Sequence, residues 1–329
     1  MLINIKDNGY KLIATLSDGR TVDLTNAVQT LEWSDNEGEL AQRATIKLSQ
    51  VYTNEGFLSE LLMLCTRLRI IANNKTSFEG LIWEWSYTST SSQTFDVMGY
   101  DNMIYMQKSK DNNYFSKNKT TKTIVSSICK KWDIPLSYKW GSKKHKKIVY
   151  RGQTIANQII STLEETRYKV GKKYVIKFQD GTLIIDYYGT NKDVYVFTGE
   201  EVIATEQSRS MDTLVTKVKI TGKESSSGKI PIKATVKGNT KYGTIQEFVS
   251  STSTSVKEAK EEARKIIADK GKPKETIRMD APDVPELRKG DKIKVIAGSL
   301  NGYYYVLGIT HNANERTMNL SLEVASDGT

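Results

Sequence analysis

The sequence predicts a β-rich α+β fold: two related β-barrel domains with a small α+β module between them. Three observations carry that expectation. The C-terminal stretch alternates apolar and polar residues, with Met318, Leu320, Leu322 and Val324 set against Asn319, Ser321 and Glu323, the period of a half-buried strand. The order of strand-like segments near the C-terminus repeats an order met near the N-terminus. Between them, residues 101–204 change to helical periodicity and carry most of the positive charge.

A chain of 329 residues has room for two or three domains with sizeable cores. Its 38% hydrophobic and 26% charged content suits a globular protein. No window approaches the roughly 18 apolar residues of a membrane span. The opening Met1-Leu-Ile-Asn-Ile-Lys lacks the basic, apolar, small-residue order of a secretory signal, so the chain is expected to be made and kept in a cytosol. The net charge is +10, yet Lys108–Arg151 holds 13 Lys or Arg against two acids, Asp111 and Asp133, leaving the rest of the chain near neutral. One segment, not the whole protein, is basic. Cys65 and Cys129 sit among apolar neighbours and are expected to be buried free thiols. With only two histidines, His145 and His311, no Cys/His zinc site can be assembled.

Residues 2–24 read as a hairpin, Leu2–Ile5 and Lys11–Leu16 flanking Asn8-Gly9, with a further turn at Ser17-Asp18-Gly19. Val28–Ser34 and Arg43–Ser49 read as strands around a turn at residues 35–38. Phe57–Cys65 reads as one or two helical turns. Strands follow at Leu68–Ala72, Phe78–Trp85 and Phe95–Tyr100, with a Ser/Thr-rich turn before the last and Trp83 and Trp85 in the barrel wall. A helix carries Ile124, Val125, Ile128, Cys129 and Trp132 on one face and stops before Pro135. A second runs over about 154–169, with Ile155, Ile159, Ile160 and Leu163 inward, and a hairpin follows around Gln179-Asp180-Gly181. Beyond it come strands at Thr213–Thr221, Ile232–Val236 and Gly243–Phe248, then a helix over Ser253–Lys270 with Val256, Ala259, Ala263, Ile266 and Ile267 as its stripe. The C-terminal meander has strands at Lys292–Ala297, Gly302–His311 and Met318–Val324, with Asn301-Gly302 as a hairpin dipeptide. Leu68–Ala72 corresponds to Ile293–Ala297, Gly80–Trp83 to Gly302–Val306, and Phe95–Tyr100 to Met318–Val324, a pattern of internal repetition.

Catalytic signatures are scarce. Neither common phosphate loop occurs, nor Gly-x-Ser-x-Gly. His145 lies in Lys143-Lys-His-Lys-Lys and reads as solvated; His311 reads as a strand-end histidine bonded to a backbone group. Glu164-Glu165, Glu200-Glu201 and Glu261-Glu262 read as solvated charge, although a carboxylate pair for glycoside hydrolysis is a matter of spatial rather than sequence spacing. No catalytic, cofactor or metal residue is assigned.

The segments 95–106 (Phe-Asp-Val-Met-Gly-Tyr-Asp-Asn-Met-Ile-Tyr-Met), Tyr242-Gly-Thr-Ile-Gln-Glu, Leu287-Arg-Lys-Gly-Asp-Lys-Ile-Lys-Val and Gly302-Tyr-Tyr-Tyr-Val-Leu-Gly-Ile-Thr-His311, in that order around a two-helix insert, resemble the baseplate hub protein of contractile-tailed phages and phage-tail-like particles. The likeness is to the hubs of Gram-positive prophages, of the late control gene D-like type. It implies tube-like barrels at 1–107 and 205–329, a basic α+β insert at 108–204, and a homotrimer whose six barrels form a pseudo-six-fold ring. The ring's implied partners are the tail tube or tube initiator, the central spike or its adaptor, the tape measure protein and wedge proteins. The implied place is a virion or bacteriocin baseplate assembled in the host cytoplasm. No enzymatic activity, cofactor, specific nucleic acid or membrane insertion is implied.

Two other functions stay open on the residues alone. The basic segment 108–151 suits a cell-wall or polyanion-binding protein, and an unrecognised carboxylate pair would make a cell-wall hydrolase. Lys143, Lys144, Lys146 and Lys147, in a turn after Gly141-Ser142, are the candidate partner-binding residues. Trp132 and Phe115 are expected to be packed, which leaves few rings for a nucleic-acid stacking platform.

Overall fold

The computed structural model describes residues 8–54, 56–88, 93–250 and 255–326. The expected strand Leu2–Ile5, most of the Ser/Thr turn and the first residues of the last helix lie outside them. The chain forms two compact units, residues 1–205 with 278–329, and residues 206–277.

The first unit is organised by one long sheet. Its strands run in the order Thr21–Asp23, Tyr10–Thr15, Arg67–Ala72, Lys75–Thr88, Thr94–Tyr100, Arg43–Ser49, Val28–Asp35, Leu300–Asn312, Thr317–Val324 and Lys274–Pro282. Lys292–Ala297 pairs with the first half of Leu300–Asn312 and, on its other edge, with Val196–Thr198 in parallel. Alternation builds these strands: Ala44, Ile46 and Leu48 face inward from one, Leu68, Ile70 and Ala72 from another. With Leu12, Leu31, Trp33, Phe78 and Phe95 they form the first core, each large side chain contributing about 1.5–3 kcal/mol of burial.

The repeat extends further than the three-strand correspondence read from the sequence. Val28–Asp35, Arg43–Ser49, Thr94–Tyr100, Lys75–Thr88 and Arg67–Ala72 are neighbours in that order, and so are Ala204–Ser210, Lys274–Pro282, Thr317–Val324, Leu300–Asn312 and Lys292–Ala297. The long central strand of each set is bulged opposite its third strand, between Ile82 and Glu84 and between Val306 and Gly308. In the first set the opening two strands are joined by a short turn; in the second, residues 211–273 are inserted between them.

The insert after Thr94–Tyr100 has two antiparallel strands, Lys110–Phe115 and Ile148–Thr154. Its helices are Thr121–Lys131 and Ile155–Val170, capped by Thr120 and Thr154 through their hydroxyls. A three-stranded sheet of Leu136–Tyr138, Thr182–Tyr187 and Tyr174–Gln179 completes it. Ile124, Val125, Ile128, Ile155, Ile159, Leu163, Leu183 and Ile185 share a core with Leu40, Met103 and Met106 of the preceding segments.

The second unit lays the helix Val256–Lys270 over a mixed sheet of Ile232–Lys237, Lys217–Thr221 and Gln246–Ser250. Ala259 and Ala263 pack on Val218, Ile220 and Ala234. The two outer strands expected here shrink by several residues at their N-terminal ends, where Thr213–Thr216 and Gly243–Ile245 form the connecting turns.

Several expectations need correction. Cys65 is exposed: it occupies a turn at φ +67, where its amide donates to the Ile82 carbonyl and the side chain faces out. Only Leu58–Leu61 of the expected helical stretch is helical, and Met63 and Leu64 are exposed. Trp132 falls past the end of its helix as the C-cap and is 37% exposed. Val256, the first helical residue, is exposed because the stripe meets the sheet only from Ala259 on. The C-terminal hairpin turns at Gly298-Ser299, between the paired Ala297 and Leu300. Gly298, at φ +57, takes the place a type II′ turn reserves for glycine, and Asn301-Gly302 lies inside the strand.

Candidate interaction surface

The Leu287–Asp291 segment, prominent in the sequence, is a tie between three parts of the first unit. Leu287 is fully buried. Lys289 Nζ lies 2.6 Å from Asp35 Oδ1 and donates to the carbonyls of Asn36 and Glu39 at 3.2 and 2.9 Å. Asp291 holds Lys177 of the insert at 2.7 Å. Each charge therefore has a fixed partner, and the segment offers none to a ligand.

Both histidines are structural. His311 is 1% exposed, stacked on Trp33 with ring centroids 4.5 Å apart. Its Nδ1 lies 2.5 Å from Asp283 Oδ1, and the other Asp283 oxygen accepts from the Tyr10 hydroxyl. The partner is thus a buried carboxylate rather than the backbone group expected. Burial pushes the Tyr10 hydroxyl far up, with Asp283 adding to it. His145 is not solvated but 3% exposed. Its Nδ1 meets Glu165 Oε2 at 3.1 Å and its Nε2 meets Thr121 Oγ1 at 2.9 Å. This carboxylate–imidazole–hydroxyl order resembles a catalytic triad, but Thr121 is 0% exposed and also bonds Thr166 at 2.7 Å. No substrate can reach that hydroxyl. A lone histidine among lysines gave no signal of burial; the signal lay 20 residues on, in Glu165.

The acidic pairs are likewise engaged. Glu164 accepts from Tyr174 and Arg167; Glu165 pairs with Lys143 and His145; Glu201 accepts from Thr198. Hydrogen bonding from His145, aided by Lys143, holds Glu165 down to about 2. Burial pushes the Cys129 thiol up to about 12. Among the described residues no group of three or more His, Cys, Asp and Glu is placed to hold a metal, and no helix is long and apolar enough to cross a membrane.

The four candidate lysines divide. Lys143 is turned inward, its Nζ 2.5 Å from Glu165 Oε1. Lys144, Lys146 and Lys147 are exposed. The run is not a loose turn: backbone bonds tie Thr121 to Lys143, His145 to Lys119, and Asn118 to His145. A second basic surface escaped the sequence reading. On the open face of the 206–277 sheet, Lys217 is directly opposite Lys237 and Lys219 lies over the exposed Phe248 ring. Scattered over 30 residues of sequence, these lysines show no charge run.

A family model described as YqbQ-like matches residues 32–325. The uncharacterized protein YqbQ of Bacillus subtilis strain 168 is 26% identical over 222 residues, 66% of this chain and 67% of that protein. Among solved structures, the 43 kDa tail protein of prophage MuSo2 from Shewanella oneidensis is similar at a TM-score of 0.76 and 12% identity, covering 95% of this chain and 98% of that one. A tail protein from Neisseria meningitidis MC58 is similar at 0.69 and 13%, covering 95% and 96%. At these identities the likeness is one of fold, and the fold is that of phage tail proteins.

Proposed function

The chain belongs to the YqbQ-like family, and from that membership and the tail-protein fold we propose that it is the structural baseplate hub of a contractile phage tail or tail-like bacteriocin. In this reading residues 1–107 and 205–329 are two tube-like barrel domains. Three chains form a pseudo-six-fold ring between the tail tube or its initiator and the central spike or spike adaptor, with tape measure and wedge proteins as neighbours. The role is non-catalytic, and the particle assembles in the host cytoplasm. The observation that carries the reading is the repeated five-strand order, bulged in both central strands. A chain with two copies of one strand unit suits a ring that must match a six-fold tube with three chains. Deleting the chain's gene and imaging the particles tests it. The expected outcome is tubes without baseplates, and density for three chains per particle at the tube end in the parent. Complete, active particles lacking the chain overturn the proposal.

A second reading is cell-wall or polyanion binding through residues 108–151. The exposed Lys144 and Lys147, with Tyr114 64% exposed on the same module, favour it. Saturable binding of purified chain to isolated cell wall supports this alternative; its absence removes it.

A further inference from the structure

The second half of Leu300–Asn312 uses both edges. One edge holds Thr317–Val324. The other holds Lys292–Ala297 as far as Tyr305, then Val28–Asp35 from Ile309 to Asn312. Its counterpart in the first repeat is Lys75–Thr88. That strand holds Thr94–Tyr100 on one edge and Arg67–Ala72 on the other as far as Leu81. Past its bulge, from Glu84 to Thr88, no strand lies along that second edge among the described residues. At the far end of the sheet, Ala204–Ser210 is the counterpart of Val28–Asp35. It is hydrogen-bonded to Lys274–Pro282 on one side and to no strand on the other, and six of its seven residues are exposed.

We propose that these two open edges meet between copies of this chain: Glu84–Thr88 of one pairs antiparallel with Ala204–Ser210 of the next. The junction repeats between chains the one that Ile309–Asn312 and Glu32–Asp35 make within a chain. The proposal rests on the ring reading above and names the surfaces that close the ring. An edge of unpaired N–H and C=O groups is a ready template for another strand. Each chain carries one acceptor edge and one different donor edge, so association is head-to-tail, the interface type that closes into a ring when the rotation allows. The internal junction fixes the rotation from one repeat to the next, and a like junction between chains continues it. The partner is a second copy because the strand filling the equivalent edge inside the chain has its own counterpart in Ala204–Ser210. Aligning the bulges sets Trp85, Ser86, Tyr87 and Thr88 at the positions of Ile309, Thr310, His311 and Asn312.

The test uses tail particles from the producing strain carrying Cys65→Ser. Ser86→Cys is combined in turn with Thr205→Cys, Gln207→Cys and Arg209→Cys, which samples three registers. A disulfide forms only with Cα atoms about 4.4–6.8 Å apart. At least one pair is expected to give reducible dimers and trimers on a denaturing gel, with none from single-cysteine particles. In parent particles the amides of residues 84–88 and 204–210 are expected to exchange at least tenfold more slowly than in isolated chain. Particles that contain the chain but show neither crosslink nor added protection overturn the pairing. Active particles that lack the chain overturn the hub reading itself, and the pairing with it.

Discussion

A Cβ added to Gly290 would stand 2.6 Å from Cγ2 of Val175 and 2.9 Å from its Cβ. Gly290 is at φ +89, its amide donates to Val306, and its carbonyl accepts from Gly189. The glycine is thus fixed twice, by a left-handed backbone that a side chain disfavours and by the close approach of the insert hairpin. Gly290→Ala is expected to lower stability by about 2–4 kcal/mol, the range of strain plus overpacking, read from the denaturant midpoint. Combining it with Val175→Ala, which empties the space, is expected to recover part of the loss; no recovery means the clash is not the cause.

Lys289 and Asp35 are each about 5% exposed as side chains. Removing one partner of a buried ion pair leaves a charge without compensation and costs about 3–5 kcal/mol. Lys289→Met is expected to fall in that range. Asp35→Asn combined with Lys289→Met is expected to cost less than the sum of the two singles, since the double variant strands no charge. Additivity in a double-mutant cycle counts against a coupled pair.

The alternating strands and amphipathic helices were legible because period-two and 3.6-residue patterns are local. The three-strand repeat was legible for the same reason. Its other two strands were not: Ala204–Ser210 has no buried face to give it a period, and Lys274–Pro282 is parted from it by residues 211–273. Charge was read least well. Lys143, Lys289 and His145 look like surface residues until Glu165 and Asp35, distant in sequence, are brought to them. Glycine at position 290 was read as turn chemistry, and so it is, but the close contact with Val175 lies 115 residues away in sequence.

Two carboxylates give the stability two separate pH dependences. Burial pushes Asp101 up to about 7, although the amides of Gln42 and Met103 bond its charged form. The folded chain then keeps a proton that the unfolded chain releases near pH 4. Its contribution is whole below about pH 4 and is lost as the pH rises through about 7. Glu165 runs the other way. Held at about 2 by His145 and Lys143, it stabilises above its ordinary range and loses that as the pH falls toward 2. Denaturant midpoints measured from pH 2 to 8 are expected to rise and then decline. Asp101→Asn flattens the arm between about pH 4 and 7 only, and Glu165→Gln the acid arm only. A variant that leaves its own arm unchanged refutes the assignment.

The basic run must be tested without disturbing the module that carries it. Lys143 belongs to the Glu165–His145 cluster, so changing it alters folding as well as surface charge. Lys143→Gln is expected to lower the unfolding midpoint of the chain. Lys144 and Lys147 are exposed on the same tied segment, and changing both to Gln is expected to leave the midpoint within about 0.5 kcal/mol. If the segment meets an acidic surface on a neighbouring baseplate protein, the double variant assembles less well. Assembly of the parent then also weakens as salt rises, since exposed charges are screened over about 10 Å at 0.1 M. The measurement is the yield of complete particles, and their infectivity or killing, for the double variant against the parent at two ionic strengths. Equal yield and activity, with only lower solubility of the free chain, mean that the two lysines serve as a solvated face and contact no partner.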